Sequence, residues 1–370
     1  MPDYTEPGVY VEESGPSPHP ITGVSTSTAA FIGIARSGPF TPTLITSSTE
    51  YELAFGGPIG AGFLDHAVRG FFQNGGTRCY ILRIEAGADP AESLKALEGL
   101  DDVSIVCSPD ENAIPGMAAA LIEHCERMRY RIAVLDAPQT PAPTDGPPDA
   151  LRSLYAAYYY PWVLVSECAG QAAIAVPPGG HVAGIFARTD GEQGVWHAPA
   201  GKAILGIAGL DQSVTNEQGE VLNAVGVNTL RTFPRVGNVL WGARTTSQDP
   251  EWKYVNIRRY LIYLEHSIDN GTQWVVFEPN GEQLWATVRR SVVDFLFNEW
   301  RNGALQGSRP EDAFFVRCDR TTMTQDDIDN GRLIIEVGVA ALRPAEFVIF
   351  RIGQWVGNAN PDDCRAPEVR

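Results

Sequence analysis

The chain has 370 residues, of which 44% are hydrophobic and 20% are charged, a composition that is ordinary for a globular protein with a buried core. This length allows two compact domains. The formal net charge of -17 argues against nucleic acid as a partner, because phosphate neutralisation needs a basic surface, and against an anionic membrane.

The sequence contains no recognisable export or membrane signal. No apolar run approaches the roughly 20 residues of a transmembrane helix, and the first six residues lack the cationic and apolar regions of a secretory signal. We therefore expect the protein to be made and kept in the cytoplasm. The cysteines form no C-x-x-C pair and are predicted to be reduced and mostly buried. They are Cys79, Cys107, Cys125, Cys168, Cys318 and Cys364.

The first twenty residues are predicted to form an extended arm. Five prolines exclude a helix there. Residues 8–13 alternate in character, which predicts a short strand that contains Val9, Tyr10 and Val11. At about 3.3 Å per residue, residues 2–20 could reach roughly 60 Å, far enough to contact another molecule. A terminal strand folded back on its own core is the alternative.

The middle of the chain alternates predicted strands and helices. Strands are expected at 24–36 and 77–85 around a helix at 63–74, then at 103–107 and 131–136 around a helix at 113–129. This order predicts a parallel sheet with crossover helices. Another strand is predicted at 162–165. A Gly- and Pro-rich stretch, 177–209, and a polar link, 211–228, close this unit.

The last third predicts two long amphipathic helices. Asp249 is expected to cap the first, with Pro250 in its first turn and an end at Asn270-Gly271. Asn280 and Gln283 resemble a capping box for the second, which ends at Gly303. Strands are predicted at 313–318, 332–342 and 346–352. The last is apolar on both faces and has to be covered on both sides; it includes Phe347, Val348, Ile349 and Phe350.

No catalytic or metal-binding motif is complete. A phosphate-binding loop near Gly201-Lys202 lacks its first glycine and its Ser/Thr. The histidines are dispersed and no calcium loop is complete. The surroundings of Asp136 and His181 resemble those of subtilisin-like proteases, but no serine nucleophile follows in the expected context. We therefore expect no enzyme activity, no cofactor and no metal.

Several strings resemble those of contractile tail sheath proteins of phages and phage-like injection machines, in the same order along the chain. Together they extend from about residue 5 to about residue 355. They are TEPGVYVEE (5–13), RGFFQNGGTRCY (69–80), PPGGHVAGIFARTD (177–190), VLWGART (239–245), RRY (258–260), VFEPN (276–280) and RPAEF (343–347).

This resemblance implies a mixed α/β fold with an inner α+β domain made from N- and C-terminal segments, an inserted outer α/β domain and extended terminal β arms. The ranges expected are 1–20 for the N-terminal arm, 21–90 for the first part of the inner domain, 91–210 for the outer subtilisin-like domain, 211–345 for the C-terminal inner domain and 346–370 for the C-terminal arm and tail. The modest length favours a compact phage tail or an injection particle.

The resemblance also implies a mechanical, non-enzymatic function. Subunits of such sheaths stack as six-membered rings around an inner tube and contract after a baseplate trigger, driving the tube through a target envelope. The expected partners are further copies of the chain, the inner tube protein, and baseplate and terminator or cap proteins. The expected location is a bacterial or host cytoplasm during assembly, then a phage tail or a released phage-like particle.

The resemblance assigns roles to specific residues. Strand exchange between copies would use Val9, Tyr10 and Val11 at one end, and Phe347, Val348, Ile349 and Phe350 at the other. Arg258, Arg259, Arg289 and Arg290 are candidates for contact with an acidic tube, with ordinary solvated or intrachain-paired arginines as the alternative. Two other functions stay open: a hydrolase of subtilisin-like ancestry, and a soluble α/β module that binds carbohydrate or another ligand.

Overall fold

The computed structural model describes residues 19–60, 62–85, 87–166 and 172–346. The predicted arm strands, with Val9, Tyr10 and Val11 and with Phe347, Val348, Ile349 and Phe350, lie outside these residues. Of the six cysteines, four lie within them, and Cys79, Cys107, Cys125 and Cys318 are buried free thiols, as predicted.

A nine-stranded mixed sheet forms the centre of the fold. Its spatial order is β2-β3-β1-β4-β5-β6-β11-β12-β9. The six strands from β3 to β11 run parallel, and antiparallel neighbours close both edges. The nine strands are β1 (Ala29–Gly33), β2 (Thr43–Ile45), β3 (Cys79–Arg83), β4 (Ile105–Cys107), β5 (Ile132–Asp136), β6 (Ala156–Tyr160), β9 (Lys202–Ala203), β11 (Val227–Phe233) and β12 (Gly237–Trp241).

Helices cover both faces of this sheet, as its parallel part requires. Ala29 and Phe31 face one apolar layer, whereas Ala30 and Ile32 face the other. The first layer holds α1 (Ser48–Phe55), α2 (Leu64–Gln73) and α5 (Gly179–Gln193). The second holds α3 (Pro90–Leu94), α4 (Met117–Met128) and α6 (Asn216–Ala224). The alternating α/β pattern of the middle segment is thus confirmed as a layered α/β structure.

The C-terminal third forms a second unit around two long helices, α7 (Val255–Thr272) and α8 (Glu282–Arg301). The predicted apolar stripe of α8 is buried throughout, from Trp285 to Leu296. A hairpin of β13 (Phe314–Arg317) and β14 (Glu336–Val339) packs on the same core. The remaining elements are a small sheet of β7 (Val163–Val165), β8 (Ile174–Val176) and β10 (Gly209–Leu210), with the short helices α9 (Pro310–Ala313) and α10 (Gln325–Asp329).

Two connecting segments are more regular than the sequence suggested. The stretch at 177–209 contains the 15-residue helix α5, and the link at 211–228 contains α6. The glycines of α5 serve close packing rather than a turn: a Cβ at Gly180 would lie 2.4 Å from the Ala67 Cα and carbonyl oxygen of α2. Residues 156–160, which precede the predicted strand at 162–165, form the buried strand β6.

The expected start of α7 is wrong by several residues. Asp249 accepts a hydrogen bond from the Glu251 amide in an isolated turn, and Tyr254 is the N-cap. The intervening residues bond to the strand-like segment at 243–245 instead, through Thr245 N–H to Lys253 O and Val255 N–H to Ala243 O. Because this pairing keeps the chain extended up to Lys253, the helix begins only after Tyr254.

The predicted capping box of α8 is also wrong. Asn280 accepts a hydrogen bond from the Trp285 indole and donates one to the Arg332 carbonyl. Gly281 is the N-cap, without a side-chain bond.

The nine-stranded sheet crosses the domain boundaries expected at 90/91 and 210/211. Strands from 21–90, 91–210 and 211–345 all hydrogen-bond within it. Those ranges therefore do not correspond to separate sheets, and the division into inner and outer parts stays a prediction. None of the helices in the described part of the chain is long and apolar enough to span a membrane.

We predict opposite effects of alanine at two glycines of α5. Gly180→Ala should lower stability by about 1–3 kcal/mol, because the added methyl group meets main-chain atoms of α2 that cannot rotate away. Gly191→Ala should raise it by about 0.5–1 kcal/mol, because a Cβ there meets nothing within 4 Å and alanine is the better helix former. Thermal unfolding of both variants checks this, and equal effects would contradict the packing argument.

Candidate functional site: anchorage of the two chain ends on one helix

The N-terminal segment, residues 19–26, lies antiparallel along α7. His19 stacks on Trp274 at 4.0 Å, the Val24 amide donates to Ser267 Oγ at 3.1 Å, and the Thr26 carbonyl accepts from Arg259. Seven extended residues at about 3.3 Å and fifteen helical residues at about 1.5 Å both span about 23 Å. These similar lengths fit an extended segment that follows α7 from Arg259 to just beyond its C-terminus.

A buried ion pair fixes the inner end of this segment. Arg259 of α7 donates to both carboxylate oxygens of Asp190 on α5, at 2.9 and 2.6 Å, and the two side chains are 3% and 5% exposed. The Thr26 hydroxyl donates to the same carboxylate at 2.6 Å, and the guanidinium lies over the Phe186 ring. Three separate parts of the chain therefore meet at one desolvated pair of charges.

Glu346, the last described residue, is held at the other end of α7. Arg244 donates to its two carboxylate oxygens at 2.8 and 2.6 Å. Lys253 and Tyr254 donate to Oε2 at 3.0 and 3.2 Å. We call these four residues the Glu346 clamp. Partial burial acts to raise the pKa of the Glu346 carboxyl, but hydrogen bonds from Arg244 and Lys253 outweigh it and lower the pKa to about 2.

The four candidate arginines separate into two buried and two exposed residues. Arg258 is 4% exposed, bonds to Glu265 at 2.9 Å and lies over Tyr155 and Trp252. Arg259 is the buried partner of Asp190 described above. Arg258 and Arg259 are therefore both paired within the chain, which was the alternative left open by the sequence. Neither is available at the surface of this subunit. Arg289 and Arg290 on α8 are exposed.

Asp136 and His181 are not arranged as a protease couple. Asp136 Oδ1 accepts the Gly179 amide at 2.7 Å, whereas His181 Nδ1 has no hydrogen-bond partner among the described residues. Burial, with a contribution from His66, lowers the pKa of His181 to about 4. Burial also raises the pKa of Asp136, next to the equally buried Glu111. These groups line the junction between the sheet and α5, and offer no charged base to a substrate.

The antiparallel pair of β13 and β14 has unpaired edges in the described part of the chain, apart from the Leu305–Ala341 bridge and the Gln306 amide bond to the Ala340 carbonyl just beyond β14. It is a two-stranded sheet, supported by the α7–α8 core through Phe314, Val316 and Val337. Two strands alone are marginal in water, and unpaired edges can accept another strand. Within the described residues, no group of three or more His, Cys, Asp or Glu is placed to hold a metal ion.

The chain is similar to known sheath proteins over nearly its whole length. The family model for the phage tail sheath protein central domain matches residues 86–246, and the model for the phage tail sheath C-terminal domain matches residues 247–354. The chain belongs to the phage tail sheath family. Membership makes it a contractile sheath subunit of a phage tail or of an extracellular contractile injection system, and the family is structural rather than enzymatic.

Two solved sheath structures resemble this sheath chain closely. The helical sheath of the anti-feeding prophage in its contracted state is 32% identical, with a TM-score of 0.82 over 95% of this chain and 99% of that one. The sheath complex of the extracellular contractile injection system PVC, also contracted, is 32% identical, with a TM-score of 0.82 over 96% and 99%. The putative prophage major tail sheath protein of Pseudomonas aeruginosa (strain UCBPP-PA14) is 26% identical over 356 residues, covering 87% of this chain and 88% of that protein.

The sequence analysis identified the strings that contain Arg244 and Glu346, but not the pairing of these two residues. Arg244 lies in the string at 239–245 and Glu346 in the string at 343–347, and both strings were identified as sheath-like. Each string holds one charge of a pair that is 102 residues apart. The opposite charges were a signal, but no local pattern joins residues so distant along the chain.

We predict that breaking the buried pair between α5 and α7 destabilises the fold far more than breaking an exposed pair does. Asp190→Asn leaves Arg259 buried without a counter-charge and should cost about 3–5 kcal/mol. Asp326→Asn, which removes an exposed partner of Arg332, should cost at most about 1 kcal/mol. Urea denaturation of both variants measures the difference. Similar losses would mean that Asp190 acts as an ordinary surface charge.

We predict a pH-dependent contribution from the Glu346 clamp. Because the pKa of Glu346 is lowered from 4.5 to about 2, its stabilisation is complete above pH 4.5 and disappears as the pH falls towards 2. Glu346→Gln should therefore cost about 1–2 kcal/mol near pH 6 and nothing near pH 2. Denaturation across this range tests it, with the exposed Glu311→Gln as control. A difference that does not change with pH would contradict the clamp.

Proposed function

We propose that the chain polymerises around an inner tube into a contractile sheath, and that its two ends are exchanged between copies as added β-strands. The observation that carries the proposal is the anchorage of the two ends at opposite ends of α7. His19 lies at Trp274, just beyond the C-terminus of the helix, and Glu346 lies at Tyr254, its N-cap. Eighteen helical residues separate them by about 27 Å.

This separation suits donation to different neighbours. Residues before 19 and after 346 start from opposite ends of the helix, so each can reach a separate copy. Contacts in which one copy donates and the next accepts are head-to-tail, and they propagate instead of closing as a dimer. An arm that stays paired while its flanking residues rotate would keep neighbouring copies connected during contraction.

The hairpin of β13 and β14 is the acceptor in this proposal. It already rests on the α7–α8 core, and its open edges supply main-chain donors and acceptors for further strands. Phe315 on β13 is 45% exposed and would be covered by a donated apolar strand. At about 0.5–1.5 kcal/mol net per hydrogen bond, a six-residue strand would contribute several kcal/mol.

Contact with an acidic inner tube is proposed for Arg289 and Arg290 alone. Both project from α8, and Arg289 has only a distant carboxylate neighbour, Asp319 at 4.0 Å. Stacked six-membered rings, with baseplate and cap proteins at the two ends, belong to this proposal, and similarity to a chain of the six-fold symmetrised baseplate of the anti-feeding prophage supports the six-fold symmetry. The inner and outer parts expected from the sequence belong to this proposal as well.

We predict that blocking the N-terminal strand prevents assembly without unfolding the subunit. Val9→Pro with Val11→Pro removes two main-chain donors and should abolish long tubes. Val9→Thr with Val11→Thr keeps strand propensity and the donors, and should preserve them. Electron microscopy of stained particles reports the tubes, and circular dichroism reports the fold. Normal tubes from the proline variant would overturn strand exchange.

A further inference from the structure

The turn between α7 and α8 presents a fully exposed aromatic side chain. Phe277 has a relative exposure of 102%, the highest among the large hydrophobic residues of the described chain, and its neighbour Val276 is 58% exposed. Leaving a phenylalanine in water forgoes the stabilisation that its burial would give. A single exposed aliphatic residue needs no explanation, but an aromatic at the tip of a turn has the shape of an interface anchor.

The backbone holds this side chain in a strained conformation. Phe277 has φ of +74°, a left-handed region that is unfavourable for a bulky residue. Hydrogen bonds fix the turn on both sides: the Val276 amide donates to Gln273, the Glu278 amide donates to Val275, and Asn280 joins the turn to Arg332. The aromatic ring is therefore presented by a rigid turn, which lowers the entropy cost of binding.

A groove with complementary chemistry lies at the other end of α7. It has a volume of about 520 Å³ and is bordered by Trp241, Arg231, Tyr254 and Glu346. The Trp241 side chain is 50% exposed and lies 4.7 Å from the Phe233 ring. The groove is larger than one aromatic side chain, so it can also take the flanking residues of a turn.

Arg231 contributes a positive charge to this groove, whose border also holds the carboxylates of Glu220 and Glu346. Its guanidinium donates to Asn216 at 2.6 Å and lies over Phe233, while its Nε has no hydrogen-bond partner among the described residues. Because this Nε is buried, a carboxylate from a second molecule would meet the terminal nitrogens of the guanidinium instead. Glu278 follows Phe277 directly in the sequence, so the turn carries both an aromatic ring and an acid.

We propose that the Phe277 turn of one copy inserts into the Trp241 groove of a second copy, with Glu278 facing Arg231. This inference rests on the proposed function, because it names a contact within the polymer. The turn and the groove lie at opposite ends of α7, about 27 Å apart, so a subunit cannot fill its own groove. A head-to-tail contact of this kind repeats along a filament, and its charge pair opposes the general repulsion between acidic copies.

Four single variants and one double variant of the full chain test the contact. Phe277→Asn keeps a residue that tolerates positive φ, and Trp241→Ala removes the wall of the groove. Each should raise the critical concentration for polymerisation about 10- to 30-fold. Glu278→Arg and Arg231→Glu should each weaken assembly, and the double variant should restore it. Leu53→Asn, at an 85% exposed leucine of α1, is the control and should change nothing.

Sedimentation of polymer measures these effects, and thermal unfolding of the unassembled protein shows that each variant folds. Wild-type assembly by Phe277→Asn and Trp241→Ala, or no rescue by the double charge reversal, would overturn the contact alone. A wild-type chain that forms no polymer under any condition would overturn the proposed function, and the contact with it.

A photocrosslinking amino acid in place of Trp241 identifies the occupant of the groove in assembled tubes. A crosslinked peptide that contains residue 277 of a second copy supports the proposal. Crosslinks confined to residues 347–370, which follow the groove residue Glu346, or to the inner tube protein would overturn it.

Discussion

Moving Arg259 and Asp190 out of water costs several kcal/mol per ion unless each charge meets its partner in good geometry. The chain meets this condition by bringing α5, α7 and the N-terminal segment together at one carboxylate, which accepts from Arg259 and from Thr26. Any movement of one of these parts away from the others would expose or isolate a buried charge. The pair therefore links α5, α7 and residues 19–26, and a movement that separates them would have to break it.

The two terminal segments are held by different kinds of contact. Residues 19–26 lie along α7 and are held at several points, from the stacked His19 to Thr26. Force applied to the N-terminus would act parallel to the helix and load these contacts together. The C-terminal segment is held by the Glu346 clamp, in which one carboxylate bonds to three donor residues. A concentrated anchor of this kind is strong while Glu346 is ionised, and it is lost as a unit when the carboxyl is protonated or removed.

Local periodicity was enough to predict the α/β alternation at 103–136 and the buried stripe of α8, since each depends on neighbours within a few turns. Local periodicity failed where contacts between distant parts of the chain determine the local structure. Gly179, Gly180 and Gly184 were assigned only to a Gly- and Pro-rich stretch without a predicted helix, yet they let α5 approach Asp136, Ala67 and Phe71 closely. Asp249-Pro250 read as a helix start, but pairing with residues 243–245 keeps the chain extended. For Arg258 and Arg259 the sequence left tube contact and intrachain pairing both open, because nothing nearby in the sequence indicates their partners. Family resemblance located the strings that contain the three glycines and the two arginines, and the structure supplied the distances of these residues to their partners.

The two terminal segments are held at opposite ends of α7, and these positions constrain how copies can be arranged. His19 and the Phe277 turn lie at one end of α7. The Glu346 clamp and the Trp241 groove lie at the other. Each end thus combines a segment proposed to reach a second copy with a surface that exposes aromatic residues, Phe277 at one end and Trp241 at the other. If copies stack with one end facing the other, the exchanged segment limits separation while the surface contact sets orientation. If the surface contacts broke and reformed while the exchanged strands stayed paired, copies could change their relative angle without dissociating. The structure around α7 would not need to deform.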